Sequence, residues 1–195
     1  AETGDQADSD DIITAACVVE LTHLASLYHD DVMDEADLRR GAASANARWD
    51  NHVAILTGDF LFSKSSELTA GLGPGGVRIQ AQTFTRLVEG QILETLGPGE
   101  GDDPLEHYLR VVAGKTGSLI ATSAQYGAIY SGATSDVEAA LTEYGEKVGV
   151  AFQLSDDILD IASESHESGK TPGTDLREGV LTLPTLIAMR SQDPA

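Results

Sequence analysis

Apolar residues recur three and four positions apart along most of the chain, whereas alternating apolar and polar runs are almost absent. This spacing places apolar side chains on one face of an α-helix, so the sequence predicts an all-α fold. Clusters of Gly, Pro and Asp mark the predicted breaks. We predict helices at residues 11–38, 44–70, 75–96, 104–130, 136–162 and 180–191, packed as a bundle.

Two helix starts carry a capping signal. Asp103 precedes Pro104, which is the order typical of an N-cap followed by a proline in the first helical position. Ser135 and Glu138 form a capping-box pattern after Gly132. The sequence therefore predicts that helices begin directly after Asp103 and Ser135.

The same acidic pattern, Asp-Asp-x-x-Asp, occurs at 30–34 and again at 156–160, in the first and fifth predicted helices. The first and fifth residues of such a pattern share a helix face, with Cβ atoms about 5–6 Å apart. Carboxylates placed like this repel each other unless a cation neutralises them. Mg²⁺ suits the task because it binds through one or two carboxylates together with substrate phosphates. The duplication favours a divided Mg²⁺ site for a diphosphate, and we expect the two motifs to meet across the bundle.

An anionic substrate also needs basic residues. Arg39 and Arg40 follow the first motif and Lys170 follows the second, in a chain with 12 Lys and Arg against 32 Asp and Glu. The simpler alternatives are that the acidic motifs are solvated helix faces and that the two arginines are charges at a helix C-terminus.

The formal net charge of −20 argues against nucleic acid or an anionic membrane surface as a partner. The sequence contains no stretch of 18 consecutive apolar residues, so it does not predict stable membrane insertion. The single Cys17 cannot form an internal disulfide. Both features favour a cytoplasmic protein. Cys17 lies among small apolar residues and is predicted to be a core residue.

With these features assembled, the sequence resembles the trans-isoprenyl diphosphate synthases, the polyprenyl synthetase family, of the medium- to long-chain type. The resemblance is carried by segments 20–23, 27–31, 39–41, 58–61, 115–119, 152–157, 169–170, 175–176 and 182–184. It implies an isoprenoid synthase-type helical bundle around a central cavity. Residues 1–195 would form a single all-helical domain that lacks N-terminal and C-terminal helices of the family.

The resemblance also implies a reaction. An allylic diphosphate ionises, its carbocation alkylates isopentenyl diphosphate head to tail, and a proton and inorganic diphosphate are lost. The family uses three Mg²⁺ ions and commonly forms homodimers. No Gly-Lys-Arg segment precedes the first motif, although the family uses one to bind isopentenyl diphosphate. Thr174 and Val180 stand where many relatives carry Lys.

Roles carried over from the family fall on matching positions. The principal metal ligands would be Asp30, Asp34 and Asp156, while Asp31, Asp157 and Asp160 would bind metal directly or through water. Arg39, Lys115 and Lys170 would hold the allylic diphosphate, whereas Arg40 and His23 would face the diphosphate of isopentenyl diphosphate. Thr116 and Gln153 would lie near the developing cation. The resemblance thus implies a catalytic set of Asp30, Asp31, Asp34, Lys115, Thr116, Gln153 and Asp156.

Small residues precede the first motif. If the prenyl tail grows along the first helix, Ala25 and Ser26 are the first residues whose side chains could stop it, and Thr22 lies one turn further back. One helical turn spans about 5.4 Å, close to one isoprene unit. Short-chain members of the family typically carry bulky aromatics at the positions of Ala25 and Ser26. We therefore expect a product longer than farnesyl diphosphate.

Three alternatives remain at this point. A class I terpene cyclase would share the first motif but consume the allylic diphosphate alone. A non-catalytic subunit would keep the fold and assist an active synthase. A di-iron carboxylate bundle would use Glu20 and His23 as a Glu-x-x-His pair, but a second such pair is absent at Glu106, Glu138 and Glu164.

Overall fold

The computed structural model describes residues 9–162, 173, 176–177 and 179–191, and this part of the chain is almost entirely helical. The predicted all-α fold is thereby confirmed. The helices are α1 (Asp10–Met33), α2 (Ala45–Arg48), α3 (Asn51–Gly71), α4 (Gly73–Leu96), α5 (Pro104–Val112), a π-helical turn (Ala113–Gly117), α6 (Ser118–Tyr130), α7 (Ser135–Ala162) and α8 (Leu183–Arg190). Strands β1 (Leu38–Arg39) and β2 (Ala42–Ala43) form a short antiparallel hairpin.

The first helix is shorter than predicted because the chain turns into this hairpin. α1 ends at Met33, and Glu35 has a left-handed φ of 50°. The hairpin turn consists of Arg40 and Gly41, with φ values of 51° and 78°, the combination found in two-residue turns of type I′. Arg39 and Arg40 therefore lie on a hairpin, which excludes the interpretation that they are charges at a helix C-terminus.

Two further predicted helices are interrupted. The predicted helix 44–70 is two helices, because Asp50 caps α3 by accepting a 2.8 Å hydrogen bond from the Val53 N–H. The predicted helix 104–130 contains the π-helical turn between α5 and α6. Asp103 caps α5 as predicted, accepting from the Leu105 N–H. α7 begins at Ser135 itself, so its start lies one residue earlier than the capping pattern predicted.

The chain forms two compact units. Of the described residues, those within 1–83 and 122–142 form the first unit, and those within 84–121 and 143–195 form the second. The core of the first unit contains Ala15, Val18 and Tyr126, against which Val19, Leu72, Ile79 and Tyr130 pack. The core of the second unit contains Tyr108, Val112 and Leu186, against which Leu105, Val150, Leu154 and Leu183 pack.

α1 buries one face, and Cys17 does not lie on that face. The buried residues include Ala15, Val18, Thr22 and Ala25, spaced three and four apart. Cys17 lies on the exposed side, so its prediction as a core residue was wrong. Within the described residues α1 is long and apolar enough to pass as a membrane span by length and composition, a test that core helices also pass.

Candidate active site

The first aspartate motif, residues 30–34, occupies the last turn of α1 and its C-cap. Asp31 is only 4% exposed and accepts two hydrogen bonds from Arg39, at 2.8 Å from Nε and 2.5 Å from Nη2. Asp30 is half-buried, and Asp34 is exposed one helical turn later, where its N–H donates to the Asp30 carbonyl. The motif thus turns its middle carboxylate inward, and it keeps two carboxylates on successive turns.

The segment after α1 is fixed by two residues that sequence reasoning missed. Asn46 donates from Nδ2 to the backbone carbonyls of Asp31 and Ala36, at 3.2 and 3.0 Å. Ser44 is buried, donates to the same Ala36 carbonyl and caps α2. The available signal was a Ser and an Asn three and five residues after Gly41, at the start of a helix, where capping residues are favoured. These bonds hold the end of α1 against the hairpin that carries Arg39.

His23 is half-buried in the first unit. Burial lowers the pKa of its imidazole, and the charges of Arg40 and Arg39 lower it further, while Glu20 acts in the opposite direction. A histidine with a depressed pKa is neutral at pH 7 and can donate or accept a hydrogen bond. Its proposed contact with isopentenyl diphosphate stays a prediction.

Of the residues proposed to limit product length, Thr22 and Ala25 lie on the face of α1 that meets α3. Thr22 and Ala25 are fully buried. Thr22 Oγ1 lies 2.9 Å from the Ser65 hydroxyl and accepts a 2.6 Å hydrogen bond from Gln80 Nε2. Ser26 is half-buried and donates to the His23 carbonyl. Of these positions, Ser26 is therefore the one with most room for a larger side chain.

The second aspartate motif, residues 156–160, lies near the C-terminal end of α7. Asp157 is 4% exposed and accepts hydrogen bonds from the Tyr108 hydroxyl and, at 2.9 Å, from Gln153 Nε2. Thr116 donates to Gln153 Oε1 at 2.9 Å. Asp156 is exposed and Asp160 half-buried. The second motif therefore also turns its middle carboxylate toward protein donors, and the fold brings the predicted Thr116, Gln153 and Asp157 together.

Lys115 forms an ion pair that the sequence did not reveal. Its Nζ lies 2.6 Å from Glu94 Oε2, and the two side chains are 30% and 33% exposed. Glu94 belongs to α4 and lies 21 residues away along the chain, so no local pattern links it to Lys115. Lys170 lies outside the described residues, as does Thr174.

Close backbone contacts surround the π-helical turn that carries Lys115 and Thr116. A Cβ atom added to Gly90 would lie 2.6 Å from the Lys115 backbone nitrogen. A Cβ atom added to Gly149 would lie 2.8 Å from the Gly117 Cα. Only glycine permits such approaches, so α4 and α7 contact the backbone of this turn directly. A π-helical turn of this kind is rare and is often found at functional sites.

The donor set fits a hard divalent cation. No group of three or more His, Cys, Asp and Glu side chains that could hold a metal ion occurs among the residues that the structure describes. Each motif nevertheless places its first and last carboxylates one helical turn apart, in addition to its buried middle aspartate. Mg²⁺ is usually held in this way, by one or two carboxylates with water and phosphate oxygens completing its octahedron. That the two motifs meet stays a prediction.

Comparisons with known proteins all lead to one protein family. Residues 1–195 match the family model described as polyprenyl synthetase. The chain is 56% identical over 194 residues to a nonaprenyl diphosphate synthase of Mycobacterium tuberculosis, covering 100% of this chain and 58% of that protein. It is 43% identical to a heptaprenyl diphosphate synthase component 2 of Geobacillus stearothermophilus, covering 91% of this chain and 56% of that protein.

A crystal structure is similar as well. It is a geranylgeranyl pyrophosphate synthase from Corynebacterium glutamicum complexed with calcium and isoprenyl diphosphate, with a TM-score of 0.86 and 53% identity. The match covers 99% of this chain and 58% of that one. The chain thus spans somewhat over half the length of the relatives it matches.

Proposed function

We infer the function from a plain premise: the chain belongs to the polyprenyl synthetase family. We propose that it condenses an allylic diphosphate with isopentenyl diphosphate, head to tail, into an all-trans polyprenyl diphosphate longer than farnesyl. The observation that carries this proposal is the pair of aspartate motifs in a chain 56% identical to a nonaprenyl diphosphate synthase. The Asp-rich second motif favours chain elongation over cyclisation.

The difficult step is breaking the C–O bond of the allylic diphosphate. The bonding electron pair leaves with the diphosphate, whose growing charge must be neutralised. Mg²⁺ bound by Asp30, Asp34 and Asp156, with Asp31, Asp157 and Asp160 binding directly or through water, would supply that neutralisation, and we expect three ions. The carbocation then forms a C–C bond with the alkene carbon of isopentenyl diphosphate, and the released diphosphate accepts the proton.

The chain's own residues bind and orient the substrates. We propose that Arg39, Lys115 and Lys170 hold the allylic diphosphate, while Arg40 and His23 face the second diphosphate. Asp31 and Glu94 hold Arg39 and Lys115 before the substrate arrives. Cations that are already in place stabilise the leaving group without reorganising during the reaction.

Thr116 and Gln153 supply dipoles near the developing cation, and neither is readily alkylated. The small Ala25 and Ser26 support a tail that passes beyond the first turn, with Thr22 as the next residue that could stop it. We propose that the protein works in the cytoplasm as a homodimer. The exposed apolar side chains of Leu56 and Phe60 on α3, at 66% and 59%, support a contact with another protein chain through that helix.

The direct test uses the 195-residue chain with Mg²⁺, radiolabelled isopentenyl diphosphate and either farnesyl or geranylgeranyl diphosphate. Products are dephosphorylated and sized by reversed-phase chromatography. Asp30→Asn and Asp156→Asn should each lose at least about 10²-fold in rate, the scale of losing an electrostatic contact in the transition state. Glu143→Gln is the matched control, because Glu143 is exposed and its ion pair is with Lys147 in α7.

Label incorporation into chains longer than farnesyl supports the proposal. Consumption of the allylic diphosphate without isopentenyl diphosphate, with formation of a hydrocarbon, would instead identify a cyclase. No incorporation with either starter contradicts independent catalysis by this chain.

A second candidate function is favoured by the similarity to a protein named component 2 of a heptaprenyl diphosphate synthase. On this alternative the chain acts as one subunit of a heteromeric synthase. Mixing the inactive chain with a full-length partner synthase would then raise the partner's rate or lengthen its product. An unchanged partner excludes this role.

A further inference from the structure

Four side chains of the second unit form one hydrogen-bonded row. Thr116 donates to Gln153 Oε1 and Gln153 Nε2 donates to Asp157 Oδ1, both at 2.9 Å. Asp157 Oδ2 accepts from the hydroxyl of Tyr108. The row joins α5, the π-helical turn and α7, and we call it the Tyr108–Thr116 relay. Neither the sequence motifs nor the family resemblance assigned a role to Tyr108.

The direction of every bond in the relay is set by chemistry. Both oxygens of the Asp157 carboxylate accept a hydrogen bond, one from the NH₂ group of Gln153 and the other from the O–H of Tyr108. The Gln153 amide is thereby oriented with its carbonyl oxygen toward Thr116. A carbonyl oxygen also only accepts, so Thr116 must donate its single hydroxyl hydrogen to it. Thr116 Oγ1 then offers only lone pairs to any further group.

An oxygen restricted to its lone pairs is suited to a neighbouring positive charge. If Thr116 could rotate its hydrogen toward an allylic cation, the O–H dipole would oppose the charge. The relay prevents that orientation because the hydrogen is held by Gln153. Dipoles that are fixed before the reaction stabilise a transition state without a reorganisation cost.

Burial explains how the relay keeps its direction. Asp157 is 4% and Tyr108 8% exposed, so their hydrogen bond does not compete with bulk water. The Tyr108 ring belongs to the core cluster with Val112 and Leu186, which holds the hydroxyl in place. A buried carboxylate that lost a donor would be costly, so the bond is strongly favoured.

We propose that Tyr108 is a positioning residue: through Asp157 and Gln153 it orients the Thr116 hydroxyl so that its lone pairs face the developing carbocation. The inference rests on the proposed function for the presence of that cation. It gives Asp157 a role besides metal ligation, as the acceptor that sets the direction of the relay.

The test compares Tyr108→Phe with Tyr126→Phe in the 195-residue chain. Both substitutions delete one buried hydroxyl, but the Tyr126 hydroxyl donates to the Gly76 carbonyl in the first unit and to no member of the relay. Tyr108→Phe should lower kcat about tenfold, equivalent to about 1.4 kcal/mol of barrier, with KM for the allylic diphosphate within about twofold. Tyr126→Phe should leave both constants unchanged, although it loses comparable stability.

A second pair of variants guards against a folding defect. Thr116→Ser keeps a hydroxyl and should retain most of kcat, whereas Thr116→Val should lower it at least as far as Tyr108→Phe. Because the relay acts as a unit, adding Tyr108→Phe to Thr116→Val should cause no further loss. Equal losses for the Ser and Val variants, or fully additive losses in the double variant, would overturn the relay.

A structural readout separates this inference from the proposed function. The side-chain amide resonance of Gln153, identified by its loss in Gln153→Met, should exchange with water faster in Tyr108→Phe but not in Tyr126→Phe. If it does so in a chain without turnover, the relay stands and the proposed function fails. If the chain turns over and both tyrosine variants behave alike, the relay fails and the proposed function stands.

Discussion

Replacing Gly149 by Ala tests whether the backbone contact between α7 and the π-helical turn is as close as described. The added Cβ would lie 2.8 Å from the Gly117 Cα and 3.3 Å from the Ile120 Cβ. Carbon atoms pack at about 3.5–4.0 Å, so the two helices must separate by at least about 0.7 Å. Overpacking costs about 1–3 kcal/mol, and a backbone neighbour favours the upper end. Ala gains about 1 kcal/mol over Gly in a helix, so we expect a net loss of about 2 kcal/mol.

The matched control is Gly75→Ala, because Gly75 also lies in a helix but its added Cβ would have no neighbour within 4 Å. This variant should be stabilised by up to about 1 kcal/mol. Urea unfolding, followed by circular dichroism, measures both changes, which should differ by about 3 kcal/mol. The rate of Gly149→Ala should also fall, since Thr116 and Gln153 move apart with the helices. Equal unfolding midpoints for the two variants would refute the close contact.

Three further predictions concern the first unit. Thr22→Val should destabilise the protein by about 1–3 kcal/mol in urea unfolding, because it removes an acceptor for the buried Gln80 amide; the exposed Thr57→Val should change little. The folded state depresses the pKa of His23, so it binds a proton less readily than the unfolded state; stability should fall as pH drops below about 6.5, and less steeply in His23→Gln. Ser26→Phe should shorten the product, measured by reversed-phase chromatography. An unchanged product distribution would count against α1 as the element that determines chain length.

The helical fold could be predicted because the apolar period is a local property of the chain. The π-helical turn could not, because its cause is tertiary. Gly90, Gly117 and Gly149 are visible in the sequence, but which backbone each one meets depends on how distant helices pack. The end of α1 was missed for another reason, since apolar spacing continues past Met33. The decisive signal was the pair Arg40 and Gly41, whose left-handed backbone forms the turn of the hairpin that follows α1.

The candidate site shows the same division between local and tertiary causes. Helical spacing predicted that the first and fifth aspartates of each motif share a face, which leaves the middle one pointing elsewhere. It did not reveal that Asp31 and Asp157 are buried, or that Glu94 pairs with Lys115. Tyr108 carried no signal at all, because a buried tyrosine in an amphipathic helix is indistinguishable from ordinary core. The spacing of residues along the chain cannot identify interaction partners that distant helices contribute.

The two motifs solve one electrostatic problem by different means. Three carboxylates within two helical turns repel one another, and burying the middle one requires donors in return. Asp31 receives a cation, Arg39, only eight residues away along the chain, so local sequence supplies the compensation. Asp157 receives neutral donors, and Tyr108 comes from 49 residues away, so compensation depends on α5 packing against α7. Among the residues that the structure describes, the Asp157 carboxylate is therefore satisfied by neutral hydrogen-bond donors. That difference allows the second motif to set the direction of a relay.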